Sequence, residues 1–255
     1  MALLCRGGVG ALDLIVLVAG LGVAGMAKGL AGMGLPLIAT PILAGVFGPR
    51  MAVTIVTIPI FVANSLLLIQ GFRSRHLLRG IAPLIGTSIV GTALGTMLLA
   101  QLDQRTFAIL IATLVVIFLL RGDRLLGDDP AALRARILGP LVCFVGGVLQ
   151  GTTSIASPLV GSFFHSLHLR PAEFVFVLAA IFELNSIVQL VGYSLQGLYT
   201  ADVIALGIIA VIPTLIAMIL GIYLRGRLDP VLFRRVIVVL LVLSVVNLLW
   251  RTFVA

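Results

Sequence analysis

The feature that most constrains this chain is a pair of glycine- and proline-rich interruptions inside membrane-grade apolar runs. Gly29–Pro41 reads GLAGMGLPLIATP, and Gly146–Pro158 reads GGVLQGTTSIASP. Each passes from an apolar helix into glycines and small or hydroxyl residues. Each ends on a similar block, Ile38-Ala39-Thr40-Pro41 in one and Ile155-Ala156-Ser157-Pro158 in the other. Glycine and proline at this density break helices. Irregular backbone is tolerated in a bilayer only where protein or a water-filled cavity covers it. The sequence therefore predicts two broken-helix hairpins, with new half-helices starting at Leu35–Pro36 and near Ser154.

Composition sets the environment. Hydrophobic residues make up 61% of the chain and charged residues 10%, against roughly a quarter charged in soluble domains. Windows such as Met51–Gln70 and Ile81–Leu102 carry no charge and are long enough to span. The expected fold class is an all-α integral membrane protein with about 8–10 transmembrane segments and the lipid bilayer as its surroundings. Apolar segments are expected near 11–28, 33–47, 51–71, 80–102, 106–120, 137–149, 155–168, 171–192, 202–224 and 231–250.

Self-similarity divides the chain. Phe61 to Asn64-Ser65 and on to Gly71 matches Phe182 to Asn185-Ser186 and on to Gly192 without a gap. Gly95, Leu102-Asp103 and Phe107 match Gly221, Leu228-Asp229 and Phe233. Together with the hairpins, these blocks predict a first transmembrane repeat over 1–120, a cytoplasmic linker over 121–136 and a second repeat over 137–255. The apolar N-terminal stretch lacks a small-residue cleavage site and reads as part of the first repeat. The net charge of +8 does not indicate nucleic acid, because the cations lie in short loops between spans. A five-plus-five arrangement puts thirteen of the 17 cations on one side, which the positive-inside rule makes cytoplasmic. Both termini then face outside. The loop after the third segment is basic in the first half and free of Lys and Arg in the second, and the loop after the fourth does the reverse. This antisymmetry predicts inverted repeats, whereas a parallel four-plus-four arrangement would mix the cations.

Paired breaks in corresponding positions of two halves are where a secondary transporter holds its substrate. Helix N-termini offer free N–H groups and a partial positive charge, which suit an anion. The candidate substrate-binding residues are Gly32, Met33, Gly34 and Thr40 on the first hairpin, with Gln150, Gly151, Thr152, Thr153, Ser154 and Ser157 on the second. Close helix packing is the structural alternative for the glycines. Lys28, the chain's one lysine, is a snorkelling end residue, a direct cation for substrate or a partner for Glu183. Glu183 lies about 18 Å into its segment at 1.5 Å per residue. An ionisable group at such depth is costly and reads as functional, here as a proton-coupling residue; a helix-joining hydrogen bond is its structural reading. Asn64 and Asn185 recur in both halves, so they serve substrate or helix contact equally well. Cys5 and Cys143 imply no disulfide. His76, His165 and His168 have no metal-ligand spacing. No catalytic constellation, metal site or cofactor motif appears.

The run Gly32-Met33-Gly34-Leu35-Pro36 to Pro41, the run Gly151 to Pro158 with Thr152 and Thr153 where glycines are expected, and Leu169-Arg170-Pro171 to Asn185, Tyr193 and Gly197-Leu198 resemble the sulfite exporter TauE/SafE family. That resemblance implies a membrane transporter carrying sulfite, thiosulfate, organosulfonate or a related carboxylate. The preference for arginine over lysine points to a bacterial inner membrane, and the lack of a catalytic constellation points away from an enzyme. A proton-coupled carrier of another metabolite using Glu183, or a membrane enzyme or assembly factor, is the alternative.

Overall fold

The computed structural model describes residues 10–121, 132–225 and 230–253. Among these residues there are ten α-helices and no strand. They are α1 (Ala11–Ala31), α2 (Leu35–Phe47), α3 (Pro49–Gln70), α4 (Leu78–Gln101), α5 (Gln104–Arg121), α6 (Ala132–Thr153), α7 (Ser157–Ser166), α8 (Pro171–Leu195), α9 (Ala201–Leu224) and α10 (Pro230–Phe253). A 3-10 turn, Phe72–Leu77, joins α3 to α4. Every apolar segment expected from the sequence is a helix. Most of the expected linker lies outside the described residues, as does Cys5, and α6 begins at Ala132, inside the span assigned to that linker.

Among the described residues, five helical stretches are long and apolar enough to cross a membrane: α1, α3, Phe72–Gln101, α8 and α9. The chain is an all-α integral membrane protein. The helices α2 and α7 hold 13 and 10 residues, about 20 and 15 Å at 1.5 Å per residue, too short for a hydrocarbon core of about 30 Å. Each folds back on its predecessor. Gly20 of α1 lies on Ile42 of α2, and Gly139 and Gly146 of α6 lie on Phe163 and Val160 of α7. Both units are hairpins.

The helices α3 and α8 form the centre, with 61% of each apolar window buried inside the protein against 28% for Phe72–Gln101 and 33% for α9. They run antiparallel, since Ser65 meets Glu183 and Gly71 packs on Phe176. Around them stand two tight parallel crossings. In α1–α9, a Cβ on Gly29 would fall 2.2 Å from the Met218 carbonyl oxygen and 3.0 Å from Gly221 Cα. In α4–α6, a Cβ on Gly151 would fall 2.3 Å from the Thr92 oxygen and 2.9 Å from the Gly95 carbonyl carbon. Only hydrogen fits at either position, and it lets backbone touch backbone. Gly25 against Thr214 and Gly147 against Ser88 extend the two crossings one turn back.

These directions bring the C-termini of α1, α3 and α9 and the N-terminus of α8 to one end of the bundle. Arg73, Arg75, Arg170 and Arg225 lie there. At the other end Arg50 donates to the carbonyls of Ala100 and Leu102, which close α4. The outward faces are apolar, as along Ile208, Ile212, Ile216 and Ile219 of α9, and suit lipid.

Candidate functional site

Both hairpins break at residues in the left-handed region. Gly32 and Gly34 have φ of 79° and 98°, and Ser154 has φ of 61°. Glycine takes this conformation without strain. Ser154 is held in it by its own N–H on the Gln150 carbonyl (2.8 Å) and by Gln189 Nε2, which donates to its hydroxyl (2.9 Å). After each break a short helix restarts with proline second, Leu35-Pro36 in α2 and Ser157-Pro158 in α7. Proline is at home there because that N–H has no helical partner.

This geometry corrects the register read from the sequence. The similar tetrapeptides equate Pro41 with Pro158, but Pro41 lies inside α2 and Pro36 is the residue placed like Pro158. Gly25, Lys28, Gly29 and Gly32 then stand where Gly147, Gln150, Gly151 and Ser154 stand. A shared tetrapeptide does not fix helical phase; the left-handed residue and the crossing glycines do.

The hairpin tips do not face each other. A Cβ on Gly32 would press on Val175 of α8, whereas Ser154 bonds to Gln189 of the same helix. Those two positions are about 21 Å apart along α8 at 1.5 Å per residue. Met33 reaches α7, its sulfur against Gly161. Between the two levels α8 carries Glu183, Asn185 and Ser186.

Hydrogen bonds divide the candidate residues into two groups. At the second break the polar groups are largely consumed. Thr152 and Thr153 donate to the Val148 and Leu149 carbonyls (2.9 and 2.8 Å), and Gln150 Nε2 donates to Gln189 Oε1 (3.0 Å). The Tyr193 hydroxyl donates to the Gly151 carbonyl (2.7 Å). Asn185 Nδ2 donates to the Ser88 hydroxyl (2.8 Å), which leaves its Oδ1 unbonded. The expected cradle of second-hairpin hydroxyls is mostly self-satisfied; Ser157 keeps a free oxygen, as does Thr40 on α2.

The first break is different. Lys28 is 2% exposed, and its ammonium donates to Asn64 Oδ1 (2.5 Å). Glu183 is near enough to interact electrostatically with Lys28, and its Oε1 accepts from the Ser65 hydroxyl (2.6 Å). Two buried polar atoms of this cluster have no partner, the donor Asn64 Nδ2 and the acceptor Glu183 Oε2. Leaving a buried polar atom unpaired costs about 1–3 kcal/mol, so a cluster with two of them is suited to a ligand. No group of His, Cys, Asp or Glu among the described residues is arranged to hold a metal.

A crevice of about 380 Å³ reaches the Ser65–Glu183 side of this cluster from the basic end of the bundle. Ser65 and Glu183 line its inner part, Leu68, Leu78 and Phe176 its sides, and exposed Arg75 its outer part. The Arg75 guanidinium lies 4.7 Å from the Phe72 ring centroid, a cation–π stacking. Sequence reasoning passed over Ser65, although Ser65 and Ser186 follow the repeated asparagines. It counted Arg75 and Arg225 as loop cations only, and nothing local in the sequence distinguishes them.

No curated protein and no solved structure matches the chain. The model of the sulfite exporter TauE/SafE family matches residues 16–248, nearly the whole of both hairpin-and-helix sets described above, and on that match the chain belongs to the sulfite exporter TauE/SafE family, membrane transporters of small anions.

Proposed function

We propose that this protein is a secondary transporter that carries one small oxyanion together with one proton by alternating access, at a site made by Lys28, Asn64 and Glu183. The observation that carries this reading is the pair of unpartnered atoms beside a buried lysine. With Glu183 ionised, the carboxylate offsets the Lys28 charge and repels an incoming anion. With Glu183 protonated, the same cluster presents three donors, the ammonium, Asn64 Nδ2 and the carboxyl O–H. An oxyanion accepts from all three, and both orphan atoms are then satisfied. Sulfite, thiosulfate, organosulfonates and small carboxylates offer the required acceptor oxygens. Thr40, Ser157 and Asn185 have free oxygens at neighbouring levels and serve as contacts along the path.

The two parallel crossings and the antiparallel α3–α8 pair support a reading as inverted repeats, 1–120 and 137–255. Exchanging α1 with α6 and α4 with α9 interchanges the crossings and reverses their direction. The clustering of cations at the end holding Arg73, Arg75, Arg170 and Arg225 supports placing that end and the linker in the cytoplasm, with both termini outside the inner membrane.

The test is anion affinity as a function of pH in purified protein, with sulfite and sulfoacetate as probes and uptake into proteoliposomes as the transport readout. Wild-type affinity is expected to fall as pH rises, approaching about tenfold per pH unit for one linked proton. Glu183→Gln keeps a neutral donor in place, so it is expected to bind with a flat pH profile. Superimposable profiles for the two proteins would remove Glu183 from the mechanism.

A further inference from the structure

Where a helix stops, its last carbonyls lose their helical partners. At the first break the Lys28 carbonyl accepts from Gly32 N–H (2.7 Å). The next carbonyl, that of Gly29, accepts from Arg225 Nη2 (2.7 Å). At the second break the Gln150 carbonyl accepts from Ser154 N–H, and the next one, that of Gly151, accepts from the Tyr193 hydroxyl. Equivalent orphan carbonyls are thus filled by unlike residues on unlike elements.

The two fillings differ in strength and setting. Tyr193 is fully buried and belongs to a network with Gln189, Gln150 and Ser154, all within α6, α8 and the break between α6 and α7. Arg225 is exposed and directly follows α9. It stands one turn beyond Gly221, whose contact with Gly29 brings the end of α9 onto α1. It therefore reaches the last turn of α1 from outside the packed interior, at the residue after Lys28.

We propose that Arg225 is a positioning residue for the anion site. By holding the Gly29 carbonyl it fixes the turn from which Lys28 reaches Asn64. It makes the first hairpin a latched, releasable element, while the Tyr193 network keeps the second hairpin fixed. This inference rests on the reading of Lys28 as an anion ligand, and it adds which hairpin moves.

The experiment uses the full-length protein in proteoliposomes, with Arg225→Gln, Arg225→Lys and Tyr193→Phe beside wild type and sulfite as the probe. Losing a charge-assisted hydrogen bond is expected to raise KM about tenfold in Arg225→Gln, with maximal rate little changed, and Arg225→Lys should recover most of it. Tyr193→Phe should instead lower thermal stability. A second measurement needs no substrate. In a background with Cys5 and Cys143 replaced by alanine, Met33→Cys should react with a thiol reagent several-fold faster when Arg225→Gln is added. Ala156→Cys at the other break should not. If sulfite is not carried at all, the proposed function fails while the labelling still decides the latch. Unchanged Met33→Cys labelling, equal acceleration at both breaks, or a lysine variant no better than glutamine would overturn the assignment.

Discussion

Adding one methyl group at Gly95 or at Gly86, both on α4, separates backbone crossing from every other effect of a Gly→Ala change. At Gly95 a Cβ would lie 2.3 Å from the Val148 carbonyl oxygen, 2.9 Å from Gly151 Cα and 3.0 Å from the Val148 carbonyl carbon. Ordinary contacts of this kind begin near 3.4 Å. All three neighbours are backbone, so no side chain can turn aside and the helices must part by about 1 Å, a gap that already forfeits a large part of each dispersion contact. Gly91, Gly147 and Gly151 share the same crossing and lose contact together. At Gly86 nothing lies within 4 Å. Both variants gain the same helix propensity, about 0.5–1 kcal/mol, so it cancels between them. What remains is the overpacking cost, about 1–3 kcal/mol, between a fewfold and more than a hundredfold in the folding equilibrium. Denaturant titration in detergent, followed by far-UV circular dichroism, measures it. Gly86→Ala should match or exceed wild type, and Gly95→Ala should fall below it by that margin. Equal midpoints for the two would refute the backbone-on-backbone crossing of α4 and α6.

Two further outcomes follow from the basic end of the bundle. Arg75→Gln should raise KM for the anion several-fold and weaken the dependence of uptake on ionic strength, because an exposed cation at the mouth of the crevice acts through a screened field; an unchanged salt dependence would show that the crevice is not the route. Cysteines placed at Ser74 and Ser194, on opposite ends of the antiparallel α3–α8 pair, should label from opposite faces of the membrane, and labelling of both from outside would exclude the inverted arrangement.

Much of this architecture is legible in residue chemistry. Each of the ten apolar segments became a helix because uninterrupted hydropathy acts locally, and the first interruption breaks at the left-handed Gly32 and Gly34. The second breaks at Ser154, which Gln189 of α8 supports from a distance. The register between the breaks was not legible. The tetrapeptides ending at Pro41 and Pro158 look alike, yet the former lies inside α2, and the residues that set the register, Gly29 and Gly151, acquire meaning only against Gly221 and Gly95 on distant helices. The site was half legible for a similar reason. Lys28, Asn64 and Glu183 stood out as polar groups at depth. The sequence could not show that Thr152 and Thr153 would spend their hydroxyls on their own helix, a local choice open to any threonine. Nor could it separate Arg225 from other loop arginines, since its partner is a backbone carbonyl, which every residue has.

The polar face of α8 has a bearing on how the chain is made. Its bonding partners Ser65, Ser88, Gln150, Gly151 and Ser154 all precede it in the sequence. When α8 leaves the ribosome, every group to which its Glu183, Asn185, Gln189 and Tyr193 side chains bond outside the helix is already in the bilayer, so these bonds can form as soon as the helix inserts. The first hairpin has the opposite history. Its crossing partner α9 and its carbonyl partner Arg225 are synthesised near the end. The hairpin that is translated first is thus completed last, and a nascent chain stopped before α9 would hold a finished second break beside an unfinished first one.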